Sequence, residues 1–360
     1  MKTQRDKMYL IQAFRGIAAL LILLHHGESI LIDNGVGIIS NILKAAWVGV
    51  DFFFVLSGFI IFYIHFNDFG RRDRVKRFFF KRFMRVFPIY WIVTFLVVIL
   101  YTLVLREGQS YTLSFILKSI FLFPQAGNPI VVVGWSLTFE IFFYILFSLL
   151  IILKPIYSKL LISGWVLGVF LNSFGIFDFS EHFYLNFMFS NYNIEFITGG
   201  LVAYITLKTK IRNPVTIFVT GLATFITGWI LIINGQLERE TTASMLLFSL
   251  ACGLLILAAA TFDLTKKPLV PGTLKLIGDA SYSIYLTHVY VFMVLNKVMI
   301  ALGASNSIII LLISSLIALI AGVVFHLVIE KNVLLFFNNK MLKKVPSKNT
   351  QKELESPRAV

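Results

Sequence analysis

The chain has 360 residues, of which 58% are hydrophobic and 14% charged, with 37 Phe and 32 Lys and Arg against 18 Asp and Glu. Soluble domains carry about 25% charged residues, so this composition, with a mean hydropathy of +0.85, excludes an ordinary water-soluble fold. The net charge of +14 would point to nucleic acid in a soluble chain. Here the charges lie between apolar runs, so they read as membrane topology and no nucleic-acid partner is expected.

In chain order, residues 1–12 are basic and lead into an apolar stretch, as in a signal peptide. There is no small-residue cleavage site, and the stretch carries Arg15, His25 and His26. It therefore reads as a retained first span at 10–32. Arg15 and His26 are 11 residues apart. At about 100° per residue they share one helix face, roughly 16 Å apart along the axis. His25 points elsewhere. A second span at 45–66 runs from outside to inside, with Asp51 just within it. Then Arg71, Arg72, Arg74, Lys76, Arg77, Lys81, Arg82 and Arg85 lead to a third span at 86–105. Headgroup contact explains the first of these. Arg82 and Arg85 share a face, stand nearest the span, and suit phosphate oxygens.

Residues 113–124 are apolar but broken by Lys118 and too short to cross, so an outer re-entrant or interfacial segment is expected. Further spans are expected at 134–153, 160–177, 187–207, 214–234, 243–262, 280–302 and 307–329. The fold class is thus an all-α transmembrane bundle of about ten spans. The clustering of Lys and Arg on alternate loops places both termini in the cytoplasm. One membrane domain is expected over 1–339, and a basic tail over 340–360 reads as disordered. The single cysteine, Cys252, excludes an internal disulfide and thiol-held zinc. It reads as a small buried hydrophobe.

Charged groups in a bilayer are costly and mark sites or partners. Asp51 and Glu140 each lie a few residues inside an outside-to-inside span, near the depth of His26; Glu195 is deeper. A carboxylate that accepts one imidazole N–H would leave the other nitrogen as a base. Helix-to-helix bonding is the equal alternative for both acids. A basic inner mouth and a base further out fit a donor with an anionic head and a long acyl-bearing arm, such as acyl-coenzyme A.

Five strings then carry a family resemblance. They are Phe14-Arg15-Gly16-Ile17-Ala18-Ala19 through His26; Gly49-Val50-Asp51-Phe52-Phe53-Phe54-Val55-Leu56-Ser57-Gly58-Phe59; Arg82-Phe83-Met84-Arg85 with Pro88 and Tyr90; Gly134-Trp135-Ser136-Leu137-Thr138-Phe139-Glu140; and Ser281-Tyr282-Ser283-Ile284-Tyr285-Leu286-Thr287-His288. With these, the chain resembles the acyltransferase-3 membrane O-acyltransferases, of the stand-alone kind acting on bacterial exopolysaccharide or lipopolysaccharide. The resemblance implies transfer of an acyl group, usually acetyl, from acyl-coenzyme A to a sugar hydroxyl, in a multi-pass protein of the bacterial inner membrane. It implies essential roles for Arg15 and His26 and donor contacts for Arg82 and Arg85.

The expected catalytic set is His26, Arg15, Asp51 and Glu140. The expected binding set is Arg82, Arg85, Ser57, Trp135 and Glu195, with Ser57, Trp135 or a backbone amide as the oxyanion donor. No metal or resident cofactor is expected, acyl-coenzyme A being a co-substrate, and the acceptor is a polysaccharide or lipid-linked glycan. No hydrolase-like outer domain of the kind some relatives carry is expected. Relatives often have Arg-Pro after the glutamate that Glu330 matches; here Lys331 and Asn332 follow, and His326 with Glu330 reads as a structural pair. The second reading is a glycan transporter or flippase with Arg15, His26 and Glu195 along its path. The lack of a repeat between the halves and the few Gly/Pro breaks within spans argue against it.

Overall fold

Runs this apolar have no water-facing stripe to satisfy, and in lipid their backbone polar groups must bond within the segment, which leaves the helix as the solution. The computed structural model describes residues 8–33, 41–105, 111–304 and 306–342. Lys2, Arg5 and Lys7 and the expected tail beyond 342 lie outside the described residues. The helices are α1 (Tyr9–Asp33), α2 (Val48–His65), α3 (Arg72–Ile99), α4 (Leu113–Phe121), α5 (Gly134–Ile152), α6 (Pro155–Ser173), α7 (Phe183–Met188), α8 (Asn193–Lys208), α9 (Pro214–Ile233), α10 (Thr242–Thr265), α11 (Gly272–Asp279), α12 (Ser281–Ala301), α13 (Ser307–Phe325) and α14 (Lys331–Leu342). Among the described residues there is no strand.

Among the described residues nine helical stretches are long and apolar enough to cross a membrane. The span expected at 187–207 is not one of them. It is broken into α7 and the 16-residue α8. Packing direction shows that α8 still counts as a crossing. Gln12, Arg15 and His26 of α1 meet Asp279, Ser281 and His288 in the same order, so α1 and α12 run parallel. Parallel helices need an even number of crossings from one to the next. That number is reached only with α8, which itself runs parallel to α2, with Val55 beside Gly199 and Phe66 beside Tyr204. The bundle therefore has ten crossings.

Small residues let α2 and α8 touch along their backbones. A Cβ on Gly58 would sit 2.3 Å from the Phe196 carbonyl oxygen, and one on Gly199 would sit 2.0 Å from that of Val55. Both obstacles are backbone and cannot rotate away. Gly199→Val should therefore cost about 3 kcal/mol and remove most of the monodisperse protein on size-exclusion chromatography in detergent. An unchanged elution profile would contradict this packing.

The start of the third crossing differs from expectation. Helix α3 begins at Arg72, not near 86, and continues past Ile99 as a π-helical turn, Leu100–Leu105. Arg82 and Arg85 therefore sit three turns and more inside it. Their charges interrupt the hydropathy pattern because they face the protein interior, not lipid. Residues 113–121 form a short helix whose Ser119 and Ile120 carbonyls accept from Tyr90 and Trp91 of mid-α3. The end of α4 is thus tied to mid-α3, and the chain turns at Leu122 in a left-handed conformation (φ 53°). The start of α1 is capped from another helix, since Asp263 at the end of α10 accepts from Leu10 and Ile11 N–H. The expected His326–Glu330 pair forms at 2.8 Å, and Ser283 also donates to Glu330.

Candidate functional site

The register of α3 against α5 sets the site. Arg72 Nε donates to the Ile152 carbonyl at 3.0 Å, and Tyr90 lies against Gly134. In an antiparallel pair so aligned, Glu140 falls level with the turn between Arg82 and Arg85. The three residues line one cavity of about 80 Å³, together with Arg15 and Ser57. Arg82 is buried. Its guanidinium stands 5.8 Å from the Phe78 ring centre and 5.6 Å from that of Tyr144, faces that favour a desolvated cation. Arg15 Nη2 donates to Ser281 Oγ at 3.1 Å. Glu140 Oε1 accepts from Ser57 Oγ at 3.1 Å and from the Tyr144 hydroxyl. Three guanidiniums against one carboxylate leave the cavity cationic, an arrangement suited to a multiply charged anion.

The convergence of His26, Asp51 and Glu140 at one depth does not occur. Glu140 lies at the level of Arg15, and Arg15 and His26 are separated by roughly 16 Å of helix. Asp51 points away from the cavity into the α2–α8–α10 interface, where its carboxyl faces that of Glu195. Both are fully buried, and no other described group donates to them. Each stands near the start of its helix, where the helix dipole favours negative charge. Because α2 and α8 are parallel, the two starts adjoin. Cys252 is buried next to this pair. Trp135 also points away from the cavity, onto Phe54, Phe139 and Tyr192. Of the two side chains expected as oxyanion donors, Ser57 alone lines the cavity.

What orients His26 is a residue that helix depth could not single out. His26 Nδ1 lies 3.1 Å from Nε2 of His288, with ring centres 5.0 Å apart. The hydrogen-bond pattern assigns both tautomers. His288 Nδ1 is 3.0 Å from the Ile284 carbonyl, which can only accept, so that nitrogen carries the proton and Nε2 is an acceptor. His26 Nδ1 faces two acceptors, His288 Nε2 and the Ile22 carbonyl at 3.1 Å, so it carries its own proton. The lone pair of His26 is then on Nε2, which has no hydrogen-bond partner among the described residues. That is the form a general base requires. His25 is turned to the Leu43 carbonyl, as its position on the helix predicted. The signal available in sequence was His288 itself, an imidazole within an apolar span.

Arg15 and His26 both turn toward α12. Tyr285 connects the two levels. It lines the cavity, bonds Ser136 at 2.7 Å, and lies 5.9 Å ring to ring from His288.

The comparisons agree with one another. Residues 8–327 match the acyltransferase-3 family profile, described as an acyltransferase domain. The "Exopolysaccharide production protein ExoZ" of Rhizobium meliloti (strain 1021) is 30% identical over 262 residues, covering 71% of this chain and 79% of that protein. The "Putative acetyltransferase ORF330" of Acidianus two-tailed virus is 23% identical over 304 residues, covering 82% of this chain and 86% of that protein. No solved structure matches.

Proposed function

Since this chain belongs to the acyltransferase-3 family and is a multi-pass membrane acyltransferase, we propose that it moves an acetyl group from acetyl-coenzyme A to a sugar hydroxyl of a bacterial surface polysaccharide. The likeness to a protein named for exopolysaccharide production supports that acceptor class. The observation that carries the reading is the pairing of a cationic cavity with an imidazole whose Nε2 is held as a free base, both on one face of α1.

In this reading the termini are cytoplasmic and the protein lies in the inner membrane. Phosphates of the donor meet Arg82 and Arg85, and Arg15 lies further along the path. His26 Nε2 takes the proton of the sugar hydroxyl as that oxygen attacks the thioester carbonyl carbon. The C–O bond forms, the tetrahedral intermediate collapses, and the C–S bond breaks. The proton on His26 passes to the departing thiolate, giving free coenzyme A. His288 holds the ring and its tautomer throughout. Ser57 and Glu140 fix the cavity wall at the level of Arg15.

The test uses purified, nanodisc-held protein with [14C]acetyl-coenzyme A and alkali-deacetylated surface polysaccharide. Label should appear on the glycan, with one new acetyl ester signal by NMR. Hydrolysis of the thioester with no glycan ester would end the transferase reading for this acceptor.

A further inference from the structure

Beside the reaction cavity lies a second cleft, of about 250 Å³, formed where the 124–129 segment and α7 cover the first turns of α5. Its walls mix two kinds of chemistry. Trp135, Phe139 and Phe187 supply aromatic rings, Phe187 stacked on Phe139 at 4.3 Å. Gln125 and Asn186 present amides, with Thr138 and Ser190 beside them. Several of these polar groups are unspent. The Trp135 indole N–H and the Asn186 side chain make no hydrogen bond to any described residue. Gln125 donates to Ser119 Oγ through Nε2, and its Oε1 is buried away from the cleft.

An aromatic cleft at a membrane surface usually serves as a lipid anchor, and that is the bland explanation. It does not account for the Gln125 and Asn186 amides on the wall beside an indole N–H with no bond to a described residue, since acyl tails offer such groups neither donor nor acceptor. A pyranose meets both demands. Its C–H face lies on an indole ring, and its hydroxyls both donate and accept, which planar amides match. The cleft is also coupled to the reacting residues. Trp135 and Thr138 face it, while Ser136, Leu137 and Glu140, on the other side of the same helix, face the cavity. The 130–133 segment that follows its loop is fastened to α12 by Tyr290 and Tyr285, which flank His288.

We infer that this cleft is the acceptor subsite, holding one sugar residue of the glycan by stacking on Trp135 and by hydrogen bonds to Gln125 and Asn186. The assignment rests on the proposed reaction for its acceptor, but its binding test does not.

The probe is an oligosaccharide digest of alkali-deacetylated surface polysaccharide, used with protein in nanodiscs. Saturation-transfer NMR without any acetyl donor reads binding. Wild type should show transfer to sugar protons, and Trp135→Ala and Asn186→Ala should lose it. In turnover, Trp135→Ala should raise the acceptor KM about tenfold or more, the scale of removing an aromatic anchor, with the acetyl-coenzyme A KM unchanged. Trp135→Phe should restore most of it. Asn186 is exposed, so Asn186→Ala keeps the test independent of folding. Equal saturation transfer, or equal acceptor KM, in wild type and both alanine variants would overturn the subsite. Sugar binding that depends on Trp135, with no acetyl transfer by wild type, would instead refute the reaction and leave the subsite standing.

Discussion

His26→Ala should lower acetyl transfer about 10³-fold, the middle of the range for removing a general base, and His288→Ala should lower it about 30-fold, less than that range because it acts only through His26. The two losses differ because the residues do different things. His26 Nε2 is the imidazole lone pair on the α1 face that also carries Arg15, and it is unclaimed by the described protein. His288 is fully buried, so in the proposed reaction it acts by fixing where that lone pair points. Without it, His26 Nδ1–H still has the Ile22 carbonyl at 3.1 Å, so a fraction of the correct tautomer persists. Two readouts separate positioning from simple structural damage. His288→Ala should reduce kcat while leaving KM for both substrates within about twofold, the pattern of a group that acts only in the transition state. His288→Gln should recover most of the rate, because its Oε1 can occupy the place of Nε2 and accept from His26 Nδ1. In the double variant, His288→Ala should cost nothing further once His26 is alanine, since residues acting as one unit are not additive. A full additional 30-fold loss in the double variant would show that the imidazole pair is not the working unit.

Much of this molecule was legible in order of residues. The apolar runs gave about ten expected crossings, nine of which are long apolar helices among the described residues, and the turn of α1 that puts Arg15 and His26 on one face follows from helix geometry alone. Three things were not legible, each for a physical reason. The start of α3 was hidden because a buried, cavity-facing Arg82 looks the same in a hydropathy plot as a solvated one. The depth of Glu140 was misjudged for the same cause, since α5 was measured from an assumed surface and not from its partner helix. Only the bond between Arg72 and the Ile152 carbonyl fixes that register. Rotation was the third. Asp51 shares a span with Ser57, yet one faces α8 and the other the cavity, and no spacing rule decides which wall a neighbour will occupy. The His26–His288 contact joins residues 262 positions apart. The string Ser281-Tyr282-Ser283-Ile284-Tyr285-Leu286-Thr287-His288 announced the residue but not its partner. The broken sixth crossing is the clearest case of packing overriding composition. At 16 residues α8 is too short to qualify by length, yet its glycines seat it against α2 more tightly than a longer leucine-rich helix could be seated.

Replacing Arg82 and Arg85 together by glutamine should raise the KM for acetyl-coenzyme A by about 100-fold, near 2.7 kcal/mol, the scale of losing charged hydrogen bonds to phosphate. The acceptor KM should stay near its wild-type value, because the cleft that includes Trp135 lies across α5 from both arginines. Glutamine is the informative replacement, since its amide keeps a donor near Glu140 and limits the damage from an uncompensated buried carboxylate. Arg85→Gln alone, in the partly buried member of the pair, should cost less than Arg82→Gln, whose guanidinium is held between the Phe78 and Tyr144 rings and has little freedom to lose. Salt supplies the control. Attraction between the cavity and a multiply charged donor is screened as ionic strength rises, so the wild-type donor KM should climb with added salt while that of the double variant stays nearly flat. A double variant with an unchanged donor KM and an unchanged salt slope would detach the arginine pair from the donor. It would then read as a structural cation cluster balanced by Glu140, and the phosphates would have to enter against another face.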